Sequence, residues 1–129
     1  VGSLRCLDCT ALGPALAFSV GVTQSVPGCR VILCTDGVAN VGIGSLNSGG
    51  SSSFYTSIGN TAKARGVQVS VITTEGVQSG LEALGKTADI SGGSVEVANP
   101  QELSSTLASM LNAKTLATEV LATVILPPQ

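Results

Sequence analysis

Three short strand-like stretches rich in valine and isoleucine, Arg30 to Cys34, Val67 to Ile72 and Val95 to Val97, are separated by stretches whose apolar residues recur at helical spacing. This alternation constrains the fold more than any other feature. Leu16 and Val20, flanked by Phe18 and Val22, follow Pro14 and predict a first helix. Phe54, Ile58 and Ala62 lie four apart and predict a second, with Lys63 and Arg65 where a helix end favours cations and Gly66 just beyond it. Leu81, Leu84 and Ala88 mark a third, closed near Gly92 and Gly93. Asn99-Pro100-Gln101-Glu102 reads as a cap, a first-turn proline and a capping-box glutamate, leading into a helix whose buried stripe is Leu103, Leu107 and Leu111 beside Met110. Helix and strand in strict alternation imply parallel strands, right-handed crossovers and helices on both faces of the sheet. The expected fold class is therefore α/β, a three-layer, Rossmann-like parallel sheet. Arg30 to Cys34, with a continuous apolar run from Val31, reads as a central strand buried on both faces.

The 129 residues bound the chain to one small domain, and with 43% apolar, 11% charged and 2% aromatic residues the core has to be built from Val, Ile, Leu and Ala. Residues 1–114 form the α/β unit in this reading. Thr115 to Leu126 is β-branched and apolar, so 115–129 reads as a strand leading out toward a following region. The Gly- and Ser-rich stretch after Thr35-Asp36-Gly37, through Gly49-Gly50-Ser51-Ser52-Ser53, has little to bury and is expected to be a mobile loop.

A net charge of -2 without a basic run disfavours nucleic acid, and no apolar stretch reaches the roughly 18 residues of a membrane span. Histidine is absent, which removes imidazole as base, ligand or triad partner and points away from enzymatic chemistry. Cys6, Cys9, Cys29 and Cys34 could form disulfides, a thiolate zinc site or a redox pair; Cys34 closes a strand, which favours inert free thiols. Four thiols without a leader peptide lean toward an intracellular, cytoplasmic setting.

In a parallel α/β unit the turn entering a helix and the turn leaving the next strand share the carboxyl edge, where ligands bind. Thr10, just before the first helix, and Asp36, just after the first strand, therefore meet there in this reading. A hydroxyl and a carboxylate are hard oxygen ligands suited to Mg2+, Mn2+ or Ca2+, although Thr10 as a cap and Asp36 as a turn residue explain the same pair. Gly37, Asn40, Gly42 and Gly44 suggest a glycine-rich nucleotide or phosphate loop, but that stretch is neither G-x-G-x-x-G nor a P-loop, and no Lys stands near it.

Cys9 to Leu16 resembles the threonine loop and following helix of von Willebrand factor type A domains, and Arg30 to Gly37 resembles the strand ending in that family's metal-site aspartate. Ala64 to Val69 is similar to its helix-to-strand step, and Leu84 to Val97 to its later helix, paired glycines and last strand. The resemblance implies the C-terminal portion of such a domain and a partial metal-ion-dependent adhesion site, with Thr10 and Asp36 as metal ligands. It implies a non-enzymatic module that binds a protein partner through an acidic residue, or a structural half-domain whose metal site has decayed. The family's Asp-x-Ser-x-Ser loop does not occur in this sequence; Asp89-Ile90-Ser91-Gly92-Gly93 lacks the second serine and follows a helix. Without a preceding strand, Arg30 to Cys34 is an apolar edge expected to be covered by a second polypeptide segment or a strand-exchanged copy.

Overall fold

A computed structural model describes residues 9–23, 25–26, 28–35, 39–45, 51–74, 80–112, 121 and 123. The elements run α1 (Leu12–Thr23), β1 (Arg30–Thr35), α2 (Ser51–Ala64), β2 (Gln68–Thr73), α3 (Leu81–Ser91), β3 (Val95–Val97) and α4 (Leu103–Asn112). The strands form one open parallel sheet in the order β1-β2-β3, with Val31 opposite Val69 and Val71 opposite Val95. This is the α/β, Rossmann-like arrangement the alternation predicts. Among the described residues, no helix is long and apolar enough to cross a membrane.

Residues in register share a face of the sheet, so the alternation along β2 divides it chemically. Val31, Leu33, Val69, Val71 and Val95 face the core, against Leu16 of α1, Tyr55 and Ala62 of α2, and Leu84 and Ala88 of α3. Arg30, Ile32, Gln68, Ser70, Ile72 and Glu96 line up on the other face. There α4 lies across the sheet: Arg30 donates from Nη1 to the Met110 carbonyl and, from Nε and Nη2, to Gln68 Oε1 at 3.3 and 3.0 Å. A groove of about 340 Å³ opens between α4 and Glu96.

Helix ends follow the glycines. Gly66 (φ 66°) stops the second helix and Gly92 (φ 76°) the third, each in the left-handed region that only glycine adopts cheaply. Gly93 then runs so close to β2 that a Cβ there would overlap the Val69 carbonyl.

Several expectations are corrected. Arg30 to Cys34 is not central: β1 pairs with β2 alone among the described residues and is half-buried. Ser51, Ser52 and Ser53 are the first turn of α2 and not loop, because serine accommodates free N–H groups at a helix start. The loop after β1 also buries more than its composition suggests, since Ala39, Gly44 and Ser45 are buried. In α2 the buried residues are Tyr55, Gly59 and Ala62, with Phe54 and Ile58 only half-buried. The reason is a close crossing with α3, where a Cβ on Gly59 would stand 3.2 Å from Thr87 Cα. Asn99 caps a turn ahead of α4 through the Gln101 N–H (3.2 Å), so the helix proper starts three residues later than its proline. No residue of α4 is buried, and Leu111 of the expected stripe is exposed, because the face it covers is half polar. The proposed tail strand lies outside the described residues save Leu121 and Thr123, which are exposed and carry no regular structure.

Two glycines that look alike in sequence separate on this geometry. Gly93→Val is expected to destabilise by about 1–3 kcal/mol through forced overpacking against β2. Gly21→Ala, in α1 with nothing within 4 Å of its Cβ, should stabilise by about 0.5–1 kcal/mol. Urea denaturation of both variants checks the pair.

Candidate functional site at the carboxyl edge

All three strands end at one edge, and the amino ends of α1, α2 and α3 return to it. Their first-turn N–H groups point outward there, a standing partial positive charge. On one side of this edge the stretch before α1 is sewn to the loop after β1. The Thr10 N–H donates to Asn40 Oδ1 at 2.7 Å, and the Thr10 carbonyl accepts from Asn40 N (3.2 Å) and Val41 N (3.4 Å). Thr10 thus stands beside Asn40, four positions beyond Asp36; Asp36 itself lies outside the described residues. Gly13 packs so tightly on the Ile43 carbonyl that no side chain fits between them, which holds this loop against the start of α1.

On the other side a cleft of about 190 Å³ opens between the starts of α2 and α3, lined by Ser51, Ser52, Gly80, Glu82, Ala83 and Lys86. The residue capping α3 is Gly80 (φ 88°), which has no side chain to accept from the first N–H groups of the helix, and no side-chain cap bond is made among the described residues. Lys86 lies one turn on and pairs with Glu82 at 2.9 Å, an ion pair with both partners open to water.

These residues carry a spacing that the glycine-rich loop after β1 does not. Gly80-Leu81-Glu82-Ala83-Leu84-Gly85-Lys86-Thr87 matches G-x-x-x-x-G-K-[ST], the order in which a P-loop cradles phosphates and presents a lysine. The signal was legible from the glycine, lysine and threonine alone; it is masked by the helical spacing of Leu81, Leu84 and Ala88 in the same stretch. The structure sides with the helix: Leu81 to Gly85 are wound into α3, so only its first turn offers free N–H groups. Thr87 is fully buried and its hydroxyl donates to the Tyr55 carbonyl (2.9 Å) and the Ala83 carbonyl (3.3 Å). Its role is to lock α2 to α3, not to face the cleft.

Two further hydroxyls, Tyr55 Oη and Thr73 Oγ1, are buried without a hydrogen-bond partner. Burial raises the Tyr55 phenol above its ordinary value by desolvating the phenolate. Cys9 and Cys34 are exposed and Cys29 half-buried, all as free thiols, while Cys6 lies outside the described residues. Among the described residues, no three Cys, Asp or Glu side chains stand together as a metal cluster.

No family model matches the sequence, and no solved structure matches it. The chain is 29% identical over 131 residues to Circularly permutated Ras protein 1 of Dictyostelium discoideum, an alignment that takes in 99% of this chain and 16% of that protein. The chain thus spans about a sixth of the relative it matches. These findings overturn the resemblance to von Willebrand factor type A domains, and with it the adhesion-module function, its decayed half-domain variant and the metal-ion-dependent adhesion site. The physical reason lies in the motifs quoted for it. A threonine before a helix, Asp-Gly after an apolar strand and a glycine between helix and strand are demands of any parallel α/β repeat, so they trace the fold and not one family within it.

The buried phenol makes a pH prediction that can be read directly, because Tyr55 is the single tyrosine of the chain. Unfolded, it loses its proton near pH 10; folded, it holds that proton to higher pH. The stability it contributes is complete below about pH 10 and is lost as pH rises beyond it. Tyr55→Phe should flatten this alkaline decline and, by removing an unsatisfied buried hydroxyl, raise stability at neutral pH by about 1 kcal/mol. Denaturation at pH 7 and pH 11, with phenolate absorbance in the native protein, checks both.

Proposed function

We propose that this chain is a phosphate-binding α/β unit that receives the phosphates of a nucleotide in the cleft between α2 and α3. The observation that carries the reading is the coincidence, in that cleft, of the uncapped first turn of α3 with Lys86 at the lysine position of the G-x-x-x-x-G-K-T spacing. Free helix N–H groups and the helix dipole attract an anion, and the two serines at the start of α2 add hydroxyl donors. Lys86 supplies the full charge once the anion displaces Glu82, whose side chain is free to swing into water. The likeness over the whole chain to a protein named as a Ras protein supports the same ligand class, since Ras proteins bind a guanine nucleotide.

In that class Mg2+ accompanies the phosphates, held by the hydroxyl that follows the lysine. Here that hydroxyl is spent between α2 and α3, and no acidic cluster replaces it among the described residues. The described residues therefore do not fit a Mg2+ centre, and recognition rests on N–H groups, hydroxyls and one ammonium. The lack of histidine, which argues against acid-base and covalent catalysis, has no force against phosphoryl transfer, which runs on positioning and electrostatic stabilisation. GTP turnover is accordingly measured beside binding.

Pyrophosphate, GDP and GTP should each raise the melting temperature, with ATP as the base-specificity control, since a ligand that binds only the folded state stabilises it. Lys86→Ala should weaken binding about tenfold, the loss of one charge-assisted hydrogen bond. Thr87→Ser, which keeps the α2–α3 bond, should leave affinity unchanged. Absence of any shift with all four compounds at millimolar concentration overturns the reading.

A further inference from the structure

We infer that α1 and the side of β1 turned away from β2, along Val31 to Cys34, form a self-complementary surface on which a second copy of this chain docks. The helix Leu12–Thr23 carries no charge and, apart from Ser19 and Thr23, is built of apolar residues and glycine, a composition suited to a helix covered on more than one face. Only one face is covered. Leu12, Leu16 and Val20 are buried against the core, while Phe18 and Val22 are 73% and 62% exposed. With Ala11 and Ala15, also exposed, they form a stripe spaced four, three and four residues apart, the seam by which one helix packs on another. Beside α1 lies β1, whose apolar run Val31 to Cys34 has a strand partner on one side alone among the described residues.

Shape and charge select the occupant. The stripe is small at its amino end, Ala11 and Ala15, and large at its carboxyl end, Phe18 and Val22. Such a seam fits a copy of itself in antiparallel orientation, with Phe18 of one helix over Ala15 of the other and Val22 over Ala11. A two-fold axis normal to the sheet at the β1 edge supplies that orientation. It sets β1 antiparallel to its copy, keeps the core face of both sheets on the same side, and so brings the two α1 helices together there. The patch meets itself without like-charge repulsion. Among the described residues its ion is Arg30, taken up by Gln68 and the Met110 carbonyl, while Glu82, Asp89 and Glu96 lie on other elements and Glu102 just before α4.

The test is the mass of the 129-residue chain in solution, by light scattering across a dilution series, with amide exchange of residues 31–34. The expected result is a species of twice 12.8 kDa at high concentration, in which those amides exchange more slowly than in the dilute monomer. Phe18→Asp, at an exposed position, should keep the native circular dichroism and weaken dimerisation at least tenfold. Ala15→Phe is the discriminating variant: it adds apolar surface, so it strengthens unspecific association, yet it fills the space Phe18 of the copy needs and should weaken this dimer. A monomer at 100-micromolar concentration (on the order of what weak dimers need), or a dimer that Ala15→Phe leaves intact or tightens, overturns the inference.

Discussion

The rest of this structure depends on the position of β2. It is the strand with a partner on each side, and five of its six residues are buried. Val69 and Val71 bind the sheet to α1, α2 and α3, and Ser70 and Ile72 close the other face. The strand is also tied at its flanks by polar contacts that hydrophobic packing cannot supply. Ser91, the last residue of α3, accepts from the Val69 N–H at 3.0 Å and lies within 3.4 Å of the Val69 carbonyl; Ser70 Oγ accepts from the Ser94 N–H at 3.2 Å. These bonds fix the end of α3 and the start of β3 on β2, and Gly93 is the residue that lets the backbone pass that close. The register of the carboxyl edge follows from them.

Much of this was legible because the local signals agree with the global fold. Val67, Val69 and Val71 alternate with polar residues and mark a strand with one apolar face, and Gly66 and Gly92 stop helices because their backbone needs a positive φ. What could not be read was which face of a helix points inward when two neighbours compete for it. Phe54, Ile58 and Ala62 satisfy the helical period, yet Tyr55 is fully buried and Phe54 is not, because α2 turns toward both β2 and α3. Periodicity reports that a stripe exists; the second contact sets its azimuth. The same limit explains α4, whose leucines form a stripe in sequence but meet a sheet face containing Arg30, Gln68 and Glu96.

Local signals are ambiguous at the candidate site for a related reason. Thr10 and Asp36 drew attention because they flank a helix and a strand, positions at which any α/β repeat places a hydroxyl or a carboxylate. Gly80, Gly85, Lys86 and Thr87 passed unnoticed because leucines at helical spacing run through them. Both readings of that second stretch are physically true of different residues. Gly80 and Lys86 open on the cleft, whereas Thr87 is turned inward to bond α2. A spacing names candidates, and only burial and hydrogen-bond partners divide them into those that face a ligand and those that hold the fold.

The contrast between the two faces of the sheet bears on where this unit can change shape. The core face is closed by α2 and α3, which are locked to each other through the Thr87 hydroxyl and the close pass at Gly59. On the opposite face α4 has no buried residue; among the described residues, the bond from Arg30 to the Met110 carbonyl ties it to the sheet. Leu103, Leu107 and Met110 are only half-buried, and a helix so covered opens at lower cost than one held by a buried apolar seam. Arg30 is also the first residue of β1, so this bond links α4 to the strand at the end of the β1-β2-β3 order. The cleft between the starts of α2 and α3 is framed by this bonded pair, which is where a site would find its donors preorganised. The sequence that made one face valine and leucine and the other half polar therefore separates a closely packed wall from a loosely covered one.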